Sequence, residues 1–433
     1  MKRIPCTGCS LLCDDIMVNS SGLFIDEVIG ACLKGKEKFD QLTSNNRFLN
    51  PMLRKGGELK KVSWDEALEK AAEILKSSLK PILYGFSTSS CEAQVKAIEL
   101  AKTVNGFIDS NSSICQGNVL DAAKETGITL TSIAEIINKA DVLVYWGFNG
   151  AESIPRLTNK AVFSRGKFRM TGREIKTLIV IDPVKTASFN VMGAKDIALN
   201  IEPDKDLELI NILTQECCKA GNIPDEGAAG LDKDDIKRLL VNLVNSENVV
   251  IFIGQGLLDP KNHFQVARNL LKMVEVMNEK HEKGRVSVVL TGGHYNMAGF
   301  DHVALSMTGK EHNIQFSEHK LTDSQYNLIS KIKNEDFDCS LIVGTDPISH
   351  FPFELSKKLT SKPIILIDNK KSATSEITDV LLPSAITGIE CRGTAVRLDQ
   401  VPVELQKLLE PANNVPSDEK ILSQIINKLK DNK

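Results

Sequence analysis

Residues 140–150 read ADVLVYWGFNG, and residues 142–146 within them are apolar without a break before a glycine and an asparagine stop the run. Five such residues are too few for a helix and too continuous for a strand with one wet face, so the pattern predicts a strand buried on both sides in a parallel sheet. The same pattern recurs in PILYGFST (81–88), KTLIVIDPVKT (176–186), NVVIFIGQGL (248–257), RVSVVLTGGHYN (285–296), CSLIVGTDPIS (339–349) and KPIILIDN (362–369). Helical patterns lie between these runs, which is the alternation of a mainly parallel α/β fold. Each run ends in Gly, Asp, Asn, Ser or Thr, where open α/β sheets carry their ligand-binding loops, so several loops are expected to converge on one crevice.

With 433 residues, 42% hydrophobic and 25% charged, the chain can build two or three cores. Its net charge of −3 is the near-cancellation of 53 basic and 56 acidic residues, which argues against nucleic acid and against an anionic membrane surface as partners. The start, MKRIPCTGCSLLCDD, lacks an apolar stretch of signal-peptide length, and no later run nears the roughly 18 apolar residues of a membrane span. A cytoplasmic location is therefore expected. Ser63, three residues before Glu66, predicts a capping box at the start of a helix that follows a basic loop, with a domain seam near Pro51.

Ten cysteines in a chain of this kind point to metal ligation or reactive thiols rather than disulfides. Cys6, Cys9 and Cys13 form C-x-x-C-x-x-x-C, and Cys32 follows in ACLKG. A tight trio plus a distant fourth thiolate suits a 4Fe–4S cluster, with a four-cysteine zinc site as the rival and scattered buried thiols as the bland reading. Lys34, two residues past Cys32, is either a surface charge or a bridge between cluster and cofactor. Cys217, Cys218 and Cys339 read as packing residues, Cys91 and Cys391 stay open, and Trp146 reads as core, needing a partner for its indole nitrogen.

The ordered set CTGC, LLC, ACLKG, NPMLRKGG and VSWDEAL resembles the start of the molybdopterin-dinucleotide oxidoreductases. With YWGFNGAESIPR, TGGHYNMAGFD and LLPSAITGIECRGTAVRLD, nearly the whole length resembles the tungsten or molybdenum subunits of the formylmethanofuran dehydrogenase family. The resemblance implies a tungsten or molybdenum ion held by two molybdopterin guanine dinucleotides and one protein thiolate, here Cys115 in SNSSICQGN. A soft thiolate suits such a metal. The resemblance also leads one to expect a histidine after that cysteine, an arginine just before GHYN and a proline after the asparagine of GFN; Gln116, Gly292 and Gly150 stand there instead. Gln116 can only hydrogen-bond, which leaves His294 as the candidate proton carrier near the metal.

Pterin dinucleotides need backbone amides for pyrophosphate and carboxylates for guanine or ribose donors. Gly147, Asn149, Asp182, Gly254, Gly256, Gly293 and Asp346 are the candidates at strand ends, and Glu390, Gly393, Thr394 and Arg397 match the family stretch near cluster and pterin. A glycine at a strand end also serves plain turn chemistry, and Arg397 could be a surface ion pair.

The expected fold is an amino-terminal iron–sulfur domain (1–50 with 378–405) and two doubly wound, mainly parallel α/β pterin-binding domains (51–130 with 285–377, and 131–284). A peripheral carboxyl-terminal helix covers 406–433, and the carboxyl-terminal β-barrel of single-chain relatives is missing. The resemblance implies partners: a small subunit supplying that barrel, an amidohydrolase-like subunit, and polyferredoxin or ferredoxin-type carriers. The implied reaction is carbon dioxide reduction to formate, or its reverse. A formate-dehydrogenase-like enzyme with another small substrate, or a non-redox structural subunit of a formyltransferase/hydrolase complex, are the alternatives.

Overall fold

The computed structural model describes all residues except 23, 168–171, 219–222, 258–261, 282–283 and 432–433. The chain forms two compact units, one of Met1–Ile114, His294–Arg397 and Pro402–Lys433, the other of Cys115–Gly293 with Leu398–Val401.

In the second unit five parallel strands run in the order Ile197–Leu199, Thr177–Ile181, Val142–Trp146, Asn248–Ile253 and Arg285–Leu290. The strand Val142–Trp146 is the middle one, with Val144 level with Ile179 on one side and Ile251 on the other, and all five of its residues are buried. Helix His263–Lys280 buries Val266, Ala267, Leu270, Leu271, Met273, Val274 and Met277, a helical period that turns one face to the sheet. Each large apolar side chain buried this way contributes about 1.5–3 kcal/mol. Lys176, fully buried just before Thr177–Ile181, donates from Nζ to the carbonyls of Ala161 (2.7 Å), Ser164 (3.0 Å) and Ile137 (3.1 Å). All three ammonium protons are thereby engaged, which makes its burial tolerable.

The first unit carries a nine-stranded sheet, in the order Lys320–Thr322, Ile314–Ser317, Phe107–Ser110, Pro81–Gly85, Cys339–Val343, Ile364–Asp368, Val380–Pro383, Met52–Lys55 and Glu58–Lys61. The five central strands are parallel and both edges are antiparallel. Lys2–Ile4, Ile16–Ser21 and Phe24–Ile29 form a separate antiparallel sheet that carries the cysteine-rich loop.

All seven apolar runs are strands, six of them with every residue of the parallel core buried or nearly so. The differences lie elsewhere. Residues before and after Pro51 belong to one unit, because Met52–Lys55 and Glu58–Lys61 extend its large sheet by a hairpin. The second unit begins at Cys115, not near 131, since helix Gly117–Thr126 contributes Val119 and Ala122 to its core. The carboxyl-terminal helix is not peripheral: Asp418–Asp431 packs on helices Trp64–Ser77 and Cys91–Thr103 and buries Ile421, Leu422, Ile425, Ile426 and Leu429. Ser63 caps its helix by accepting from the Glu66 amide at 3.1 Å, but the Glu66 carboxylate accepts from Lys55 Nζ at 2.6 Å instead of closing the box.

Candidate redox site

The loop between Lys2–Ile4 and Ile16–Ser21 is closed by two backbone bonds, Cys6 N to Cys13 O (2.9 Å) and Leu12 N to Cys9 O (3.1 Å). Leu12 adopts φ +42 to complete the curl. Cys6, Cys9 and Cys13 are buried and Cys32, at the start of helix Leu33–Asp40, is partly exposed. Gly35 lets that helix meet the loop: a Cβ there would stand 3.0 Å from Cys6 Sγ and 4.0 Å from Cys32 Sγ. Gly8 answers from the other side, since a Cβ would lie 3.0 Å from the Lys34 carbonyl. Two glycines thus bring a loop and a helix start into contact with four reduced thiols gathered between them.

Burial pushes the Cys6 thiol up to about 11 and the Cys9 thiol up to about 12, with the neighbouring cysteines adding repulsion against the Gly8 and Leu11 amides that oppose it. Buried thiols that resist ionisation alone are deprotonated by a cationic centre bound among them, so the donor set fits an iron–sulfur cluster. Among the described residues no three His, Cys, Asp or Glu side chains stand close enough to hold one metal ion. A cluster whose irons are each ligated by one thiolate needs its cysteines farther apart than a single ion does.

Cys115 ends the short helix Asn111–Cys115, directly after the buried strand Phe107–Ser110, and its thiol is partly exposed. Three consecutive side chains pin this helix. Asn111 Nδ2 donates to Thr345 Oγ1 (2.9 Å) and Tyr84 Oη (3.1 Å), Ser112 Oγ to Asp301 Oδ2 (2.8 Å), and Ser113 Oγ to Asp109 Oδ2 (2.8 Å). Gln116 is buried, and its carbonyl begins helix Gly117–Thr126 by accepting from Val119 and Leu120. His294, in the first unit, is partly exposed, with Nδ1 lacking a partner among the described residues. Burial, reinforced by His350, Lys34 and Lys370, pushes its pKa down to about 4, so the ring is neutral at physiological pH.

The remaining candidates divide sharply. Asp346 accepts from the Thr374 amide (2.9 Å) and hydroxyl (2.6 Å), the Ala373 amide (3.1 Å) and the Ser349 hydroxyl (2.6 Å). Burial alone would raise it, yet these bonds hold it below the usual carboxylate range. Thr394 donates from its amide (2.9 Å) and hydroxyl (2.8 Å) to Glu92, and a Cβ on Gly393 would collide with Ser90 at 2.5 Å. Glu390 is ion-paired with Arg47 and accepts from the Ile386 amide. These four serve protein contacts. Arg397 is partly exposed at the end of strand Gly393–Val396, Lys34 is exposed on its helix, and Gly293 has open space where a side chain would project.

In the second unit Gly147 and Gly254 answer to chain packing: a Cβ on Gly147 (φ +57) would lie 2.0 Å from Leu257 N, and one on Gly254 2.0 Å from Gly147 O. Gly256 completes the contact by donating to Gly147 O at 3.0 Å. Asn149 bonds Glu152 (2.6 Å) and Ser188 (3.2 Å), while Asp182 accepts from the Val184 amide (2.9 Å) with burial raising its pKa. Trp146 is core, as expected, and its Nε1 donates to Asp206 at 2.7 Å. Asp206, whose burial pushes it up to about 6 despite that bond, lies within the field of Asp182 and was not singled out from the sequence. Only its buried partner reveals it.

Cys339 is buried in its strand and Cys217 packs on the core, but Cys218 is exposed at the helix end, because it follows the last buried turn. Cys91 meets Asn296 and Cys391 meets Thr387, and burial raises both thiols, to about 11 and about 12.

The molybdopterin oxidoreductase family matches residues 47–428. A subunit of the tungsten-containing formylmethanofuran dehydrogenase 2 of Methanococcus maripaludis is 32% identical over 438 residues, covering 99% of this chain and 98% of that one. The chain belongs to the formylmethanofuran dehydrogenase branch of the molybdopterin oxidoreductases. Two solved structures share the fold at low identity. Acetylene hydratase from Pelobacter acetylenicus superposes with a TM-score of 0.71 at 14% identity, over 99% of this chain and 69% of that one. A chain of the formyltransferase/hydrolase complex from Methylorubrum extorquens gives 0.69 at 18%, over 88% and 99%. The mixed α/β architecture expected of a formylmethanofuran dehydrogenase chain is thus the one observed. No helix among the described residues is long and apolar enough to cross a membrane.

Proposed function

We propose that this chain is the redox subunit at which carbon dioxide is reduced to formate, or formate oxidised, in a cytoplasmic formylmethanofuran dehydrogenase complex. The end-to-end match to one chain of a tungsten-containing formylmethanofuran dehydrogenase carries this reading. In it Cys6, Cys9, Cys13 and Cys32 hold a 4Fe–4S cluster, Lys34 stands between cluster and pterin, and Cys115 is the thiolate on tungsten or molybdenum. A pterin-held metal of this kind supplies two-electron chemistry at low potential.

The chain's own residues do the rest. The bonds from Asn111, Ser112 and Ser113 fix the helix that presents Cys115. Asn149, Asp182, Gly293 and Arg397 remain as cofactor contacts, supported by their place at strand ends. Asp346, Glu390, Gly393, Thr394, Gly147, Gly254 and Gly256 stand beside those four as cofactor-binding residues of this reading and also shape the loops around them. His294, neutral in its cationic surroundings, offers a hydrogen bond to an anionic substrate rather than a stored proton. Formate then passes to an amidohydrolase-like subunit for N-formylation of methanofuran, with electrons from a polyferredoxin or ferredoxin-type carrier. A small separate subunit that carries a β-barrel is a further partner in this reading.

The test is carbon dioxide reduction by the anaerobically purified complex with and without methanofuran. Formylmethanofuran formed only in its presence fits the reading. Free formate made equally well without methanofuran favours the formate-dehydrogenase-like alternative, for which Gln116 and Gly292 leave room. The fold shared with a formyltransferase/hydrolase complex keeps a non-redox scaffold in play, and absence of iron and heavy metal would select it.

A further inference from the structure

Arg47, in the first unit, has a side chain almost wholly enclosed yet incompletely bonded among the described residues. Its side chain is 3% exposed and that of its partner Glu390 is 1% exposed. Nη2 serves Glu390, while Nε and Nη1 have no acceptor among the described residues. A guanidinium left with two orphaned donors in a dry interior carries a desolvation penalty of about 1–3 kcal/mol or more, which a native protein offsets by supplying an acceptor.

The surroundings indicate where that acceptor comes from. Glu390 closes the turn 386–390 by accepting from Ile386 N at 2.8 Å. Thr7, between ligands Cys6 and Cys9, donates to the Thr387 carbonyl of this same turn at 3.1 Å, and Gly388 (φ +81) leaves room for its methyl. The Arg47–Glu390 pair is therefore built into the turn that buttresses the cysteine loop. Glu390 also fixes the guanidinium's orientation, because only one edge of the planar fork is engaged.

We propose that Arg47 donates from Nε and Nη1 to sulfur acceptors of the iron–sulfur cluster held by Cys6, Cys9, Cys13 and Cys32. The inference rests on the cluster assigned under the proposed function and adds the residue that sets its potential. Donors aimed at cluster sulfurs stabilise the more negative reduced state, so they raise the midpoint potential.

Arg47→Lys tests this in the whole complex, because lysine keeps the charge but cannot supply the fork. The midpoint potential of the cluster, followed by electron paramagnetic resonance, is expected to move to a more negative value with iron and pterin contents unchanged. Where the variant does not accumulate, unaltered complex grown on 15N-arginine should show a 15N coupling to the reduced cluster by pulsed resonance. An unchanged potential, an absent coupling, or loss of pterin at unchanged potential would each overturn the assignment. If the unaltered complex gives no cluster signal at all, the proposed function itself fails.

Discussion

The Ser113 hydroxyl donates to Asp109 Oδ2 at 2.8 Å, two residues before Cys115 on the same short helix. With Ser112 on Asp301 and Asn111 on Thr345, this bond converts three polar residues into a fixed support for one thiol. Replacing Ser113 by Ala is expected to cost about 1 kcal/mol of stability, a typical value for one hydrogen bond. The larger effect should be on metal: tungsten or molybdenum content per chain falls in Ser113→Ala by more than the small drop in melting temperature explains. Equal metal content would deny the helix its positioning role.

Asp109 itself has a pH signature. Burial, opposed by the His312 field and by Ser113, Ser110 and Asn313, pushes its carboxyl up to about 6 from an ordinary 3.8. The folded protein therefore holds this proton more tightly than the unfolded chain does. That contribution to stability is fully present below about pH 3.8 and is lost as the pH rises through about 6. The melting-temperature difference between wild type and Asp109→Asn should shrink from pH 4 to pH 7, measured by calorimetry at fixed ionic strength. A difference that grows over that range would contradict the burial effect.

His294 should behave in the opposite sense. Its pKa is depressed from 6.5 to about 4, first by burial and then by His350, Lys34 and Lys370. Its contribution is present above pH 6.5 and lost as the pH falls through about 4. Nuclear magnetic resonance of the ring should find it neutral at pH 6, and His294→Gln should flatten the loss of stability between pH 6.5 and 4. A ring protonated at pH 6 would restore it as a proton donor.

Two glycines separate packing from ligand contact. Gly147→Ala forces a Cβ to 2.0 Å from Leu257 N at a positive φ, so soluble protein should fall several-fold, with at least about 1–2 kcal/mol from the backbone alone. Gly293→Ala meets nothing within 4 Å and should leave the melting temperature unchanged. Pterin content after denaturation is the readout for Gly293→Ala: a decrease marks the open face as cofactor-facing, and full retention removes Gly293 from the site.

Lys176→Met strands three carbonyls, that of Ala161 in the buried interior and those of Ile137 and Ser164 half-buried. At about 1–3 kcal/mol for a buried unsatisfied group, denaturant midpoints should show a loss of at least about 1 kcal/mol. A near-neutral outcome would mean that water replaces the ammonium.

Much of this was legible in the sequence for physical reasons. Strands such as Val142–Trp146 are buried on both faces, and continuous apolarity is the direct trace of that environment. The gathering of Cys6, Cys9 and Cys13 was equally readable, because residues on one tight loop lie close in sequence. What stayed hidden depends on partners far along the chain. Glu390 finds Arg47 343 positions away, and Thr394 finds Glu92 302 positions away, so nothing local distinguishes a committed carboxylate from a free one. Nor does the sequence show that Gly147 and Gly254 each make room for the other's loop. The helix Asp418–Asp431 looked peripheral because its three lysines suggest a solvated face, while Ile421, Ile425 and Leu429 mark the face that is buried.

The most direct measurement is elemental and pterin analysis of the oxygen-free complex carrying either the intact chain or Cys115→Ser, with iron read by resonance after reduction. Iron, guanine-bearing pterin and tungsten or molybdenum should all be present in the intact complex, and Cys115→Ser should lose heavy metal while keeping the cluster signal. An intact complex with neither metal nor cluster signal, or a Cys115→Ser variant that holds its metal undiminished, would contradict the assignment of these thiols.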